Sequence, residues 1–591
     1  MVYVNRFQYI YDYLVKYVAP DLVRGNDEAL AALKNVTVES PREKGRGDLA
    51  TNIAMVLAKP LGRSPLEIAN LLLPALQSYR HVQEASIAGA GFINLRMKPE
   101  YWQQELVAIL QQWHNYGSSD EGQGKRINVE YVSANPTGPL HIGHARGAVV
   151  GDALANLLQK VGYEVVKEYY INDAGSQVET LARSAHLRYR EAYGENITIP
   201  EGMYPADYLI PVGKALRDTF GGTLLDDEED EGGKPVWLEE VKQFAVEAML
   251  DIIKQDLRGL GIEHDIFTSE QSLHDGKWLD NGVEVLNSKN LVYRGVLEAP
   301  KGKQLEDWEP TEQLLFKSTA YGDDYDRSLV KSNYSYTYFA GDVGYAWQKL
   351  SRDFDSLVMI LGADHGGYVS RMTALIAALS DGATELKIQL CQMVKLMNDG
   401  VVVKMSKRSG SFVTVREVTE EVGKDVLRFM MLTRKPEQPL DFDLAKVKEQ
   451  SKDNPVFYVQ YAHSRCHSVL RGAKEREPIA YANSIVTDKL DLSLLSSDVE
   501  LQLIKVLAAF PRIVEQASKH FEPHRIAYFV QELAGEFHSF WSHGSTDANM
   551  RFIVEGNIPL TTARLALVRS VAVVLKAGLD IIGVEALEEM R

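Results

Sequence analysis

Residues 127–147 read Ile127-Asn-Val-Glu130-Tyr-Val-Ser133-Ala-Asn135-Pro-Thr-Gly138-Pro139-Leu-His141-Ile-Gly143-His144-Ala-Arg-Gly147. The first part alternates like a strand, and the Asn-Pro-Thr-Gly-Pro core forces a turn. From about His141 the pattern becomes helical, with Val150, Leu154, Leu157 and Val161 on one face until Gly162. A strand, a tight loop and a helix start in that order place ligand groups at the carboxyl end of a parallel strand. The helix start supplies unpaired N–H groups and positive potential suited to phosphate. His141 and His144 can donate hydrogen bonds to phosphate oxygens as charge builds in a transition state, while Gly143 leaves room for a flat base or ribose. Taken alone, a His-x-x-His pair reads first as two core or surface histidines at a helix start.

Outward from this segment, strands and helices alternate from Ile127 to roughly Asp443, which predicts a Rossmann-type α/β domain with a parallel sheet. An insertion falls around residues 180–300 and carries the acidic run Asp226–Glu231, read as a solvated loop because adjacent carboxylates repel. Upstream, residues 1–116 mix helical patterns with the strand-like Gly91–Arg96, an α+β expectation, and the polar, glycine-rich Tyr116–Lys125 reads as a linker. Residues 450–591 fit helix almost throughout, as in the spacing of Val499, Leu503, Val506 and Leu507. The expected domains are therefore 1–116, 125–443 and 450–591, since 591 residues are too many for one core.

Composition narrows the function. With 45% apolar and 25% charged residues the chain reads as a soluble globular protein. No apolar run approaches the roughly 18 to 20 residues of a membrane span. Met1–Ala19 lacks the apolar core of a signal peptide, so a cytoplasmic location is expected. Cys391 and Cys466 are the only cysteines and belong to no Cys-x-x-Cys pattern, which argues against structural zinc and a disulfide framework. A net charge of −17 argues against a surface that grips nucleic acid everywhere, although screening lets a local basic track act by itself.

Three further stretches carry chemistry. Leu390–Leu396 and Val401–Val403 read as a hairpin through the turn Asn398-Asp399-Gly400, delivering Lys404-Met405-Ser406-Lys407-Arg408-Ser409-Gly410 into a loop. Two lysines beside serine and glycine suit a mobile clamp on a triphosphate, with Lys407 stabilising the leaving pyrophosphate. Tyr338 and Asp342 lie one helical turn apart on a common face. Gly362-Ala-Asp364-His365-Gly-Gly367 forms another strand-to-helix turn at the same sheet edge, and Glu130 is an acid inside a strand-like run, unusual unless paired.

Pro139-Leu-His141-Ile-Gly-His144 resembles the HIGH signature of class I aminoacyl-tRNA synthetases, and Lys404–Lys407 is similar to their KMSK signature. Ser133–Pro139, Gly143–Gly147 and Ile171-Asn-Asp173-Ala-Gly-Ser-Gln177 look like the arginine-specific version. The resemblance implies ATP carried with Mg²⁺, L-arginine and tRNA(Arg) as partners, no membrane, and a monomer, the usual state in the family. It makes His141, His144, Lys404 and Lys407 catalytic. Gly138, Pro139, Gly143, Asp364, His365, Met405 and Ser406 join the two histidines on the ATP side. Glu130, Ser133, Asn135, Tyr338 and Asp342 would hold arginine, with Tyr338 and Asp342 on the guanidinium. The alternative readings are one half of a buried ion pair for Glu130 and a helix cap for Asp342, and for Asp173 a cap on the next helix is an equally good reading. The family pattern often has a second histidine where this chain has Gly366.

The helical region opens with Asn454-Pro-Val-Phe457-Tyr458-Val-Gln-Tyr461-Ala-His-Ser-Arg465, whose aromatics suit stacking on unpaired bases and whose Arg465 suits phosphate, or which simply serve the core. It is similar to the anticodon-binding domain of arginine-type synthetases, a likeness that continues at Gly578–Gly583. Arg46–Asn52 and Gly89–Leu95 resemble the additional N-terminal domain of that family, which grips the corner of the tRNA and makes Asn94 the candidate base contact; a sheet position is its structural reading. The same likeness implies that arginine activation needs bound tRNA. Two other readings compete: a HIGH-type nucleotidyltransferase without tRNA, and a tRNA-binding module that has lost catalysis.

Overall fold

The central strand, Arg126–Glu130, forms because Ile127 and Val129 alternate with residues that find buried partners, so both faces of the strand are covered. It lies in a five-stranded parallel sheet ordered Glu385–Cys391, Ser356–Gly362, Arg126–Glu130, Glu164–Ile171 and Ile266–Ser269. The computed structural model describes residues 5–590 apart from 42, 44, 227, 231, 298–310, 404–412 and 450–453. The helix Ile142–Lys160 crosses the sheet, burying Val150, Leu154 and Leu157 as the periodicity expects.

Residues before Tyr116 build an antiparallel sheet ordered Val38–Glu39, Leu49–Thr51, Phe92–Met97, Val82–Ala88, packed with helices. Beyond residue 454 the chain is helical, with long helices at Pro455–Arg476, Asp498–His520, His524–Thr546 and Ile558–Ile582. The expected α/β catalytic region, α+β N-terminal region and helical C-terminal region are all present. The insertion contains the helices Ser176–Ala192, Ile210–Phe220 and Leu238–Gly259, which enclose a separate apolar cluster. Among the described residues no helix is long and apolar enough to cross a membrane.

Two local expectations need correction. The Tyr116–Lys125 stretch begins as a docking point: Tyr116 is fully buried, its hydroxyl bonds Glu105 Oε1 at 2.8 Å and Leu507 O at 3.1 Å, and it stacks on Phe510. The hairpin comprises Val394–Asn398 and Val401–Val402, with positive φ at Asp399 and Gly400 in its turn. Leu390 and Cys391 instead finish a strand of the central sheet. The run Ile388 to Leu396 is mostly apolar and carries no Gly or Pro, so composition does not mark the crossover at Gln392, whose N–H bonds Pro436 O at 2.8 Å.

Candidate active site

His141 is the N-cap of the helix Ile142–Lys160. Its Nδ1 accepts Gly143 N–H at 3.1 Å, and His144 Nδ1 accepts His141 N–H at 3.2 Å. A ring nitrogen that accepts carries no proton, so each imidazole is held with its hydrogen on Nε2. The rings stack with centroids 3.7 Å apart. The room at Gly143 belongs to this cap, since a Cβ there would meet His141 Cε1 at 2.8 Å. Gly138 is small for a similar reason: a Cβ would sit 2.9 Å from the Tyr208 hydroxyl, which bonds Thr137 O at 2.7 Å.

The chain returns to these histidines from far downstream. Ile142 N bonds Val413 O at 3.1 Å, and Val415 N bonds Leu140 O at 2.8 Å. Lys404, Met405, Ser406 and Lys407 lie outside the described residues.

Glu130 and Glu168 are in register on adjacent parallel strands, an arrangement that needs cations. Lys349 provides one, with Nζ 2.7 Å from Glu130 Oε2, 3.1 Å from Glu168 Oε2 and 2.7 Å from Asn128 Oδ1. Tyr345 OH donates to Glu130 Oε2 at 2.7 Å, and Arg352 Nη2 lies 2.8 Å from Glu168 Oε2. Against the burial that pushes it up, Lys349 and Arg352 hold the Glu168 carboxyl down at about 2. The ion-pair reading of Glu130 is therefore realised. Its other oxygen accepts Ser133 Oγ at 3.1 Å, while Ser133 Oγ accepts Tyr170 N–H at 3.1 Å. Val132 and Ser133 have φ of 72° and 40°, a left-handed pair that is strained for a β-branched residue.

Across the sheet edge, Tyr338 opens the helix Tyr338–Leu350 and is 82% exposed at its mouth. Asp342 follows one turn below. It caps nothing, since Thr337 is the N-cap; its Oδ1 accepts the Tyr368 hydroxyl at 2.6 Å. Burial pushes its carboxyl up to about 6. Glu270, which the sequence reading missed, begins the helix after the strand Ile266–Ser269. Burial and the nearby carboxylates of Asp173 and Asp342 push it up to about 7. An acid in a first helical turn is ordinary, so sequence offers no signal for it; only its place at the same sheet edge as Glu130 does.

The Ile171–Gln177 stretch ties these parts together. Asn135 Nδ2 donates to Gln177 Oε1 at 2.8 Å. Asp173 accepts Ser269 Oγ at 2.6 Å and Gln271 N–H at 2.9 Å, steadying the helix of Glu270. The expectation that it caps the next helix is thus overturned; Gly175 stands at that cap with no side-chain bond. The reason is proximity across parallel strands, which spacing does not encode. Asp364 and His365 sit beyond the strand Ser356–Gly362, exposed and 3.8 Å apart. Among the described residues no group of His, Cys, Asp or Glu could hold a metal ion.

Below the histidines, the same helix is clamped from two sides. Arg146 bonds the carbonyls of Gln438 at 2.6 Å and Lys435 at 2.7 Å. Fully buried Arg428 bonds Asp152 Oδ2 at 2.6 Å, Leu260 O at 2.9 Å and Ile582 O at 2.9 Å, joining this helix to the last helix of the chain.

The distal candidates are separate from this cleft. Arg465 lies 4.1 Å over the Tyr461 ring and 4.6 Å over Trp541, with Tyr461 44% exposed and Tyr458 packed 4.5 Å from His538. Asn94 is buried in an interior strand of the N-terminal sheet, beside Arg46 and Arg96 at a cavity of about 250 Å³.

A parallel sheet with paired imidazoles at the carboxyl end of its central strand, and a distant segment returning to them, defines the catalytic domain of a class I aminoacyl-tRNA synthetase. Family models agree in three places: the arginyl tRNA synthetase N terminal domain at residues 16–97, the tRNA synthetases class I (R) catalytic domain at 105–200, and the DALR anticodon binding domain at 459–590. The chain belongs to the arginyl-tRNA synthetase family. It is 53% identical to the arginine–tRNA ligase of Agrobacterium fabrum over 97% of both chains, and 53% identical to that of Parvibaculum lavamentivorans over 95% of both. A crystal structure of a putative arginyl-tRNA synthetase from Campylobacter jejuni, 30% identical, covers 84% of this chain and 100% of its own with a TM-score of 0.70. The Thermus thermophilus arginyl-tRNA synthetase shares the fold at 22% identity, covering 96% of this chain and 99% of its own with a TM-score of 0.72.

Proposed function

We propose that this arginyl-tRNA synthetase, which joins L-arginine to tRNA(Arg) through an arginyl-adenylate made from ATP, divides the work among the residues as follows. The Nε2–H groups of His141 and His144, with the backbone from Gly138 to Gly143, meet the ATP phosphates, and Lys404 and Lys407 approach from the other side with Met405 and Ser406. Mg²⁺ enters with the ATP. Asp364 and His365 border the adenosine. Asp342 and Glu270 take the guanidinium under Tyr338, while Glu130, Ser133 and Asn135 form the wall nearest the α-amino and carboxyl groups.

One observation carries the amino-acid assignment. Two carboxyls are held at about 6 and about 7 at one sheet edge by burial and by neighbouring carboxylates, Glu130 for Asp342 and Asp173 with Asp342 for Glu270. A planar cation relieves that repulsion and satisfies both acids with its fork of donors. Residues 1–116 and 450–591 hold the tRNA corner through Asn94 and the anticodon through Tyr458, Tyr461 and Arg465. The enzyme works in the cytoplasm as a monomer, and activation requires tRNA. Pyrophosphate exchange with each of the twenty amino acids, with and without tRNA, tests this: exchange with arginine alone, stimulated by tRNA, is expected. Exchange driven by lysine or glutamate would refute the pocket.

A further inference from the structure

Asp342 is held by a neighbour that the assignment above does not use. Tyr368 begins the helix Tyr368–Ser380, and its hydroxyl lies 2.6 Å from Asp342 Oδ1. Burial raises this phenol well above its ordinary value, so the bond has one sense: Tyr368 donates and Asp342 accepts. The ring is fixed as well. The Arg371 guanidinium lies 4.4 Å over it, and His365 meets it edge-on at 6.5 Å. Ser370, two residues on, bonds Asp323 Oδ1 at 3.2 Å, and Asp323 holds Arg327 through two bonds of 2.7 Å. The start of this helix is thereby tied to a buried ion pair, which sets the depth at which the Tyr368 hydroxyl sits.

The charged groups around Asp342 are Arg371 on the Tyr368 helix, Glu130 on the central strand, Arg327 on the strand Arg327–Val330, and Glu270 on the helix that follows Ile266–Ser269. Arg327 is engaged by Asp323 and by Tyr325 OH at 2.6 Å. The Tyr368 bond thus fixes one oxygen of Asp342 and leaves the second oxygen for another donor.

Resting on the assignment of Asp342 to the guanidinium, we propose that Tyr368 is a positioning residue for amino-acid selection, locking the plane of the Asp342 carboxylate so that it matches a guanidinium fork and not a lone ammonium. A guanidinium presents its donors in a fixed plane, so a rotating carboxylate loses part of the match. An ammonium is a compact point charge that follows a moving carboxylate without loss. Tyr368 therefore acts on the arginine KM and on discrimination against lysine, and leaves the turnover of bound arginine largely untouched. The bond also favours the charged form of Asp342, so its loss displaces the pH profile of the arginine KM toward alkaline values.

The test is Tyr368→Phe, which keeps the ring and removes the donor, measured by pyrophosphate exchange with tRNA against arginine and lysine across pH, beside Asp342→Ala. Expected for Tyr368→Phe are a roughly tenfold rise in the arginine KM, a nearly unchanged kcat, a narrowed arginine-to-lysine ratio and an alkaline-shifted profile. A uniform fall in activity with the ratio and profile unmoved would mean a structural role and overturn the proposal. So would wild-type behaviour of Tyr368→Phe while Asp342→Ala loses arginine, an outcome that leaves the Asp342 assignment standing. If Asp342→Ala itself keeps a normal arginine KM, that assignment fails and takes this inference with it.

Discussion

His141 and Thr414 face each other as an antiparallel backbone bridge, with Ile142 N to Val413 O and Val415 N to Leu140 O bonded on either side. Thr414 also caps the helix Val415–Val422 in a reciprocal pair with Glu417. The segment carrying Lys404 and Lys407 therefore starts at Val403, which bonds Leu396 O at 3.0 Å, and ends against the histidine that begins the other signature. The pairing of residues 140–142 with 413–415 rests on backbone bonds that would persist under most side-chain changes.

His141→Asn separates the two duties of that residue. An asparagine at the N-cap still accepts a backbone N–H, so the helix start and the unfolding temperature should be nearly preserved. It offers no Nε2–H where the imidazole did. Activation should fall about 100-fold or more, read by pyrophosphate exchange; near-normal exchange in a well-folded variant would remove His141 from the catalytic set.

Asp342→Ala removes one half-buried carboxylate of the pair proposed to hold the guanidinium and should cost roughly 2 to 5 kcal/mol in arginine recognition, seen as a raised arginine KM with ATP binding unaffected. An unaltered KM would reject the assignment.

Arginine binding should strengthen as pH rises through the range in which Asp342 and Glu270 ionise, about 6 and about 7. Both carboxyls stand above their ordinary values of 3.8 and 4.5, so the folded protein holds these protons more tightly than the unfolded chain. Their contribution to stability is accordingly full at low pH and diminishes between about 4 and about 7, where each ionises against burial and neighbouring carboxylates. Arginine bound between the two acids as proposed should offset that loss. The thermal upshift produced by arginine should grow across this interval, and a pH-independent upshift would contradict the paired-acid pocket.

How much of this could be read beforehand depends on the kind of signal. The strand, turn and helix around His141 were legible because periodicity and the Pro-Gly turn all lie within a few residues of one another, as do Tyr338 and Asp342. Glu270 was not, since its meaning comes from a neighbouring strand of the sheet and nothing in its own segment distinguishes it from a routine first-turn acid. The cap reading of Asp173 failed for the same reason: its partners Ser269 and Gln271 are brought beside it only by parallel pairing of Ile171 with Ser269. Glu130 announced itself as an acid in a strand, but its cation, Lys349, sits on a helix far along the chain.

The junction between the catalytic and C-terminal regions yields the last prediction. Arg428 is fully buried and spans Asp152 on the histidine helix and the final carbonyl of the helix Ile558–Ile582. The next residue, Gly583, has φ of 68°, and a Cβ on it would fall 2.1 Å from Arg428 Nη2. Arg428→Met strips Asp152 of one cation, leaving Lys167 at 2.9 Å, and should destabilise by about 3 to 5 kcal/mol. Gly583→Ala should destabilise too, through left-handed strain and through the collision with the guanidinium. These two costs share a cause, because removing the guanidinium clears the space the new methyl needs. The double variant should therefore be less destabilised than the sum of the singles by about 0.5 to 3 kcal/mol, leaving mainly the strain of the backbone at residue 583. Additive losses in denaturant unfolding would mean that Gly583 is required for its backbone conformation alone, and that the contact with Arg428 does not constrain it.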